Sequence, residues 1–138
     1  MKSPLVRPVC SGDLEALEDI DFECSLNPFV YDQWAEIIQD TKKLVVGVDA
    51  DGVRAFSVLR PTNTNVEIVR FCTYPSHRGR FDKLMLEHVR RWSKERSSKT
   101  ITFIVNEVDL HLHLLLKELG YICLKSKKEG LLFIQRIS

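Results

Sequence analysis

The sequence predicts an α+β domain with helices on both faces of a sheet. Short apolar, β-branched runs such as Lys43–Val48, Val53–Leu59, Val66–Phe71 and Thr100–Val105 alternate with stretches of helical period. Strong turn signals, among them Asn27-Pro28, Asp51-Gly52 and Leu119-Gly120, fall between the two kinds of segment.

In chain order, Leu5–Val9 reads as a first strand. Ser11 or Asp13 then caps a helix with Leu14, Leu17 and Ile20 on one face. Asn27-Pro28 breaks it, because proline disfavours helical geometry in the residue before it. A second helix, Asp32–Gln39, turns Trp34, Ile37 and Ile38 inward. The strands Lys43–Val48 and Val53–Leu59 join through Asp49-Ala50-Asp51-Gly52, where Gly52 tolerates the positive φ of a tight hairpin. After the polar turn Pro61–Asn65 comes an apolar strand from Val66, ended by Tyr74-Pro75. A helix over Asp82–Arg96 buries Leu84, Met85, Val89 and Trp92. Thr100–Val105 reads as a central strand. Asp109 or Asn106 caps a leucine-rich helix that stops at Gly120, and Tyr121–Leu124 and Leu131–Arg136 pair around a Lys125–Gly130 turn.

At 138 residues the chain is long enough for one domain, 1–138, that buries roughly two-thirds of its unfolded surface. A net charge of +1 supplies no global field for nucleic acid. The basic groups Arg78–Lys83 and Arg90–Arg96 can meet phosphates, but Glu87 and Glu95 dilute the patch and base-stacking aromatics are missing. No apolar run reaches membrane-spanning length, and MKSPLVRP lacks the apolar core of a signal peptide, so the expectation is cytoplasmic residence away from membranes. Cys10, Cys24, Cys72 and Cys123 show no C-x-x-C spacing and read as free, mostly buried thiols. His111 and His113 sit about 200° apart around a helix and cannot share one metal.

The stretch VEIVRFCTYPSHRGRFDKLMLEH, residues 66–88, carries the functional signal. A strand runs into the basic turn His77-Arg78-Gly79-Arg80 and then into a helix. Such a turn aims several backbone N–H groups along the positive end of a helix dipole, and adjacent arginines grip phosphate as a fork. The arrangement resembles the pyrophosphate loop of the GNAT superfamily of acetyl-CoA-dependent N-acetyltransferases. LVRPVCSGDLEAL at the start and VNEVDLHLHLLLKELGYICLK near the end are similar to two further stretches of that family. The resemblance implies a mixed, mostly antiparallel GNAT-like sheet, acetyl-CoA as co-substrate and an amine as acceptor. It also implies that the backbone of Phe71, Cys72 and Thr73 holds the pantetheine arm, while Arg78, Gly79, Arg80, Phe81 and Lys83, with Asn106, form the rest of the cofactor site.

The departures from the family lie at the chemistry. Arg78-Gly79-Arg80 continues into Phe81-Asp82-Lys83 where later glycines are usual, so Phe81 would crowd the phosphates and Asp82 would repel them. Leu116 stands where the family's general-acid tyrosine is usual. Glu67 is the general-base candidate, and Tyr74 and Tyr121 are the phenols that can replace the missing acid. The run RFDKLMLEHVRRWSKE followed by H-x-x-L-L-K-E-L-G also resembles a small GNAT-like internal virion protein of short-tailed phages. That resemblance implies a catalytically silent module binding a virion or host protein, located in the host cytoplasm or the virion. A silent module would have Phe81 filling the cradle and no slot between the two central strands.

Overall fold

A computed structural model, which describes residues 3–128 and 130–137, places seven strands in one sheet. They are β1 (Leu5–Pro8), β2 (Leu44–Asp49), β3 (Val53–Pro61), β4 (Asn65–Thr73), β5 (Thr100–Val105), β6 (Ile122–Lys127) and β7 (Gly130–Arg136). The helices are α1 (Leu14–Cys24), α2 (Tyr31–Gln39), α3 (Arg80–Glu95) and α4 (Leu110–Glu118). The sheet order is β1-β2-β3-β4-β5-β7-β6, antiparallel throughout except between β4 and β5. Glu129, inside the expected Lys125–Gly130 turn, lies outside the described residues, as do Met1, Lys2 and Ser138.

Period-2 alternation along the strands divides the apolar residues between two cores. On one face α1 and α2 cover Val45, Val53, Phe56, Val58 and Cys72. Trp34 is fully buried there, edge-on to Phe29 at 5.4 Å and to Phe56 at 4.9 Å. On the other face α3 and α4 cover Val46, Val48, Ile68, Ile101, Phe103 and Phe133. The sheet therefore carries helices on both faces, as the alternation of elements predicts.

Differences from the sequence reading have local causes. α3 begins at Arg80 rather than Asp82, because Gly79 takes a positive φ of 92° and serves as the N-cap. Its inward residues are Phe81, Met85, Leu86 and Val89, which leaves Leu84 and Trp92 on the flank of the core. The cysteines are free, but Cys10, Cys24 and Cys123 are exposed and only Cys72 is buried. The three exposed ones occupy element ends and an edge strand, where burial is incomplete. The Asp49–Gly52 hairpin forms as expected, with Asp51 at φ 60° and Gly52 at φ 105°. Asp109 is the cap of α4, its carboxylate accepting from the Leu112 N–H at 3.2 Å. Among the described residues no helix is long and apolar enough to cross a membrane.

β4 is continuous with β3 but not with β5. Its parallel pairing with β5 runs only from Asn65↔Thr100 to Ile68↔Phe103. At that point Val69 is left without a partner on β3, a bulge between the pairs Leu59↔Ile68 and Val58↔Arg70. A bulge bends a strand and increases its twist, so Val69–Thr73 swing away from β5 and the two strands fork.

Two charge clusters hold the α1 side. Asp21 is completely buried and accepts from the Arg70 Nε at 2.7 Å, the Arg70 Nη2 at 3.0 Å and the Phe29 N–H at 2.7 Å. Arg70 also lies over the Phe29 ring, 3.8 Å from its centroid. This ties β4 to α1 and to the loop before α2. At the sheet edge Arg7 joins Asp13 at 2.9 Å and Asp49 at 3.0 Å. The Arg7 guanidinium holds the Asp13 carboxyl down to about 2 and, behind the Gly52 backbone N–H, also lowers Asp49.

Asp21→Ala strands the largely buried Arg70 guanidinium and is expected to cost about 3 kcal/mol in urea denaturation. The lowered Asp13 carboxyl contributes stability above its unfolded value of 3.8, and that contribution is lost as pH falls toward about 2. Arg7→Met is expected to be less stable than the parent at neutral pH. Acid denaturation followed by circular dichroism is expected to show the two stability curves converging as pH drops through that window.

Candidate functional site

The fork between β4 and β5 opens onto a cleft of about 210 Å³. β4 lines it with Phe71, Cys72 and Thr73, α1 with Glu23 and Cys24, and α4 with Leu112. Arg78 and Asp82, from the turn into α3, and Asp109, the cap of α4, complete the wall. The backbone of β4 past the bulge has no β5 partner, so one edge of the strand is left open to the cleft.

The first turn of α3 closes the far end. The N–H groups of Gly79, Arg80, Phe81 and Asp82 have no acceptor among the described residues, as the geometry of a helix N-terminus requires. These amides, with the exposed Arg80 and Lys83 side chains beside them, form an anion cradle. A Cβ built on Gly79 would come 3.7 Å from the His111 ring, so the imidazole covers one side of the turn. Phe81 does not fill the cradle. Its ring is buried in the core and stacks on His77, with centroids 4.7 Å apart.

Asp82 is the carboxylate in this positive end, only 1% exposed. One oxygen accepts from the Thr73 hydroxyl. The other has no hydrogen-bond partner among the described residues and lies 3.7 Å from Arg78 Nε and 3.9 Å from His111 Nε2. Arg78 Nη2 donates to both oxygens of Asp109, at 2.9 and 3.0 Å, and so bridges the mouth of the fork. Burial works against the Arg78 charge, but Asp109 and Asp82 outweigh it and raise the guanidinium above its ordinary value.

The other residues singled out by sequence are dispersed. Glu67 sits where β4 and β5 are still paired and forms an ion pair with Arg60. Tyr74 follows β4 and lines a second, shallower concavity of about 690 Å³ with Glu18, Asp19, Phe22, Glu23 and Phe29. Burial, then the nearby Asp19, raises its phenol above the usual range. Tyr121 is sealed in the core, where burial raises its phenol further and its hydroxyl has no partner among the described residues. Leu116 is wholly buried in the same core. Asn106 turns its side chain to the Val108 N–H at 3.0 Å and does not line the cleft. His113 is buried against Phe133, on the far side of α4 from His111.

Sequence reasoning missed Glu23, Cys24 and His111. Glu23 is the residue common to the cleft and the acidic concavity. Each lies near an element end in a stretch whose period marks only a helix, and none carries a motif. Gly79→Ala places a side chain at φ 92°, ψ −69° and is expected to cost about 1–3 kcal/mol. A thermal melt with the parent alongside measures it.

Neither a protein-family model nor a curated protein matches the chain. Solved structures do. The ribosomal-protein-S18-alanine N-acetyltransferase of Escherichia coli superposes with a TM-score of 0.85 over 99% of this chain and 95% of its own, at 16% identity. NAA60 of Arabidopsis thaliana, in complex with a bisubstrate analogue, gives 0.84 over 97% and 98% at 13% identity. The PaiA N-acetyltransferase of Thermoplasma acidophilum, in complex with coenzyme A, gives 0.79 over 98% and 99% at 14% identity. At such low identities the likeness is one of architecture: this chain has the fold of the GNAT N-acetyltransferases.

Proposed function

We propose that the chain is an N-acetyltransferase that moves acetyl from acetyl-CoA to an amine by direct attack. The observation that carries the reading is the meeting of an open strand fork with an anion cradle at its far end. NAA60 of Arabidopsis thaliana in complex with acetyl-CoA, which aligns over 98% of this chain with a TM-score of 0.82, supports the co-substrate.

In this reading the amides of Gly79–Asp82, with Arg80 and Lys83, hold the phosphates. The open edge of Phe71–Thr73 holds the pantetheine arm by strand-like hydrogen bonds. The acceptor enters from the concavity beside α1, where Glu18, Asp19 and Glu23 attract an ammonium group and Phe22 and Phe29 cover its apolar part. Glu23, exposed and common to both spaces, takes the amine proton. Glu67 serves as base only when Arg60 releases it. Tyr74, held protonated by burial, is the donor to the departing thiolate, since Tyr121 is enclosed in the core. The cytoplasm, where acetyl-CoA is available, is the compartment this reading implies.

A second reading, a catalytically silent phage module that binds a virion or host protein, draws on the Arg78–Asp109 bridge across the fork and on Leu116 in place of a tyrosine. Isothermal titration with acetyl-CoA, with desulfo-CoA and dephospho-CoA as controls, separates the two. Micromolar binding is expected, weakened roughly tenfold or more in an Arg80→Ala, Lys83→Ala double variant. Glu23→Gln is expected to lower kcat in an amine screen while leaving acetyl-CoA affinity unchanged. Absence of binding at millimolar acetyl-CoA would overturn the acetyltransferase reading.

A further inference from the structure

Two thiols that the acetyl-transfer reading leaves unused meet on the wall of the cleft. Cys24 ends α1, Cys72 lies near the end of β4, and both line the 210 Å³ space. Cys24 Sγ is 3.0 Å from the Thr73 carbonyl oxygen, one residue from Cys72. Ser25 sets its hydroxyl 3.4 Å from Cys72 Sγ, and the Asp21 carboxylate lies 3.8 Å from the same sulfur. Residues 24 and 25 at the end of α1 therefore sit against residues 72 and 73 of β4, which brings the two thiols to the same part of the wall.

The pair is unequal in access and in acidity. Cys24 is exposed, whereas Cys72 is buried behind it. The neighbouring Cys72, with the Arg78 charge, holds the Cys24 thiol below its ordinary value against the opposing effect of burial. The nearness of Cys24, together with burial, pushes the Cys72 thiol up. One reachable sulfur and one sheltered sulfur beside it are what a thiol–disulfide exchange pair needs. Cys10 is instead held against the Asp13 carboxylate, and Cys123 lies on the edge strand β6.

We propose that Cys24 and Cys72 form a thiol–disulfide exchange site whose oxidant is a low-molecular-weight disulfide entering the cleft. The Cys24 thiolate attacks one sulfur of the small disulfide, forming a mixed disulfide and expelling one small thiolate. Cys72 then gives up its proton, relayed by the Ser25 hydroxyl or the Asp21 carboxylate, and attacks Cys24 Sγ. A second small thiolate leaves and takes up a proton. Two cysteine thiols lose two electrons in all, and the small disulfide is reduced to two thiols. The new bond fixes the end of α1 to β4 on the cleft wall, next to the Asp21–Arg70 ion pair. The proposal does not depend on acetyl transfer.

The test uses the full chain with oxidised glutathione at near-neutral pH, followed by rapid alkylation, intact mass and peptide mapping. Free thiols are expected to fall from four to two, with one peptide linking Cys24 to Cys72 and full recovery under dithiothreitol. Cys72→Ser is expected to trap glutathione on Cys24, while Cys24→Ser leaves Cys72 unmodified. Cys72→Ala repeats the trapping test with a smaller, non-ionising side chain, and circular dichroism confirms that each variant folds. The proposal is overturned if the parent accumulates glutathione on Cys24 without forming the internal link. It is equally overturned if Cys10 or Cys123 is modified ahead of Cys24.

Discussion

The unpaired residue Val69 ends the parallel pairing of β4 with β5 after four residues, and the geometry of the site depends on that departure. A strand hydrogen-bonded on both edges has no free backbone to offer. β4 keeps β3 on one side and, past the bulge, offers the other side to the cleft. The bend also brings Thr73 to the first turn of α3, where its hydroxyl meets Asp82, and turns Arg70 toward α1 and the buried Asp21. One extra residue in one strand thus positions the cleft wall, the cradle and the α1–α2 loop together.

The cleft wall carries more negative than positive charge. Three carboxylates, Glu23, Asp82 and Asp109, line it with a single guanidinium, Arg78. The buried Asp82 is compatible with this because it sits in the first turn of α3, where the helix dipole and the Thr73 hydroxyl favour an anion. Arg78 is held between Asp82 and Asp109, so the cations left for an outside anion are Arg80 and Lys83, on the solvent side of the same turn. An anion binding there meets the free amides first and the acidic wall only at depth. The concavity beside α1 has the opposite character, with carboxylates and aromatic rings that suit a cation. The two spaces share Glu23, so opposite charges can approach one another from the two sides of α1's last turn.

Element type and order were legible in the sequence, because hydrophobic period and turn residues are local properties. The strand Thr100–Val105, the Asp49–Gly52 hairpin, the Asp109 cap and the stop at Gly120 all follow from residues within a few positions of each other. The basic turn before α3 was legible for the same reason. Less legible were the places where a neighbour distant in sequence decides the outcome. Phe81 looks like an obstruction when read beside Gly79, yet the face of α3 that meets the sheet takes its ring into the core. Cys24, at a helix end, looks like any buried thiol until β4 is laid against it.

By itself the sequence determined an α+β chain with helices on both sides of a sheet and a basic strand-to-helix turn, since backbone propensity, capping and binary pattern act over short distances. Tertiary structure alone decided that β4 and β5 fork, that Arg78 bridges to Asp109 and that Glu23 joins two spaces. It alone brought Cys24 beside Cys72, 48 positions away in the chain. Each of these is a contact across the sheet or between elements, and its energy depends on burial and register that exist only once the strands have paired.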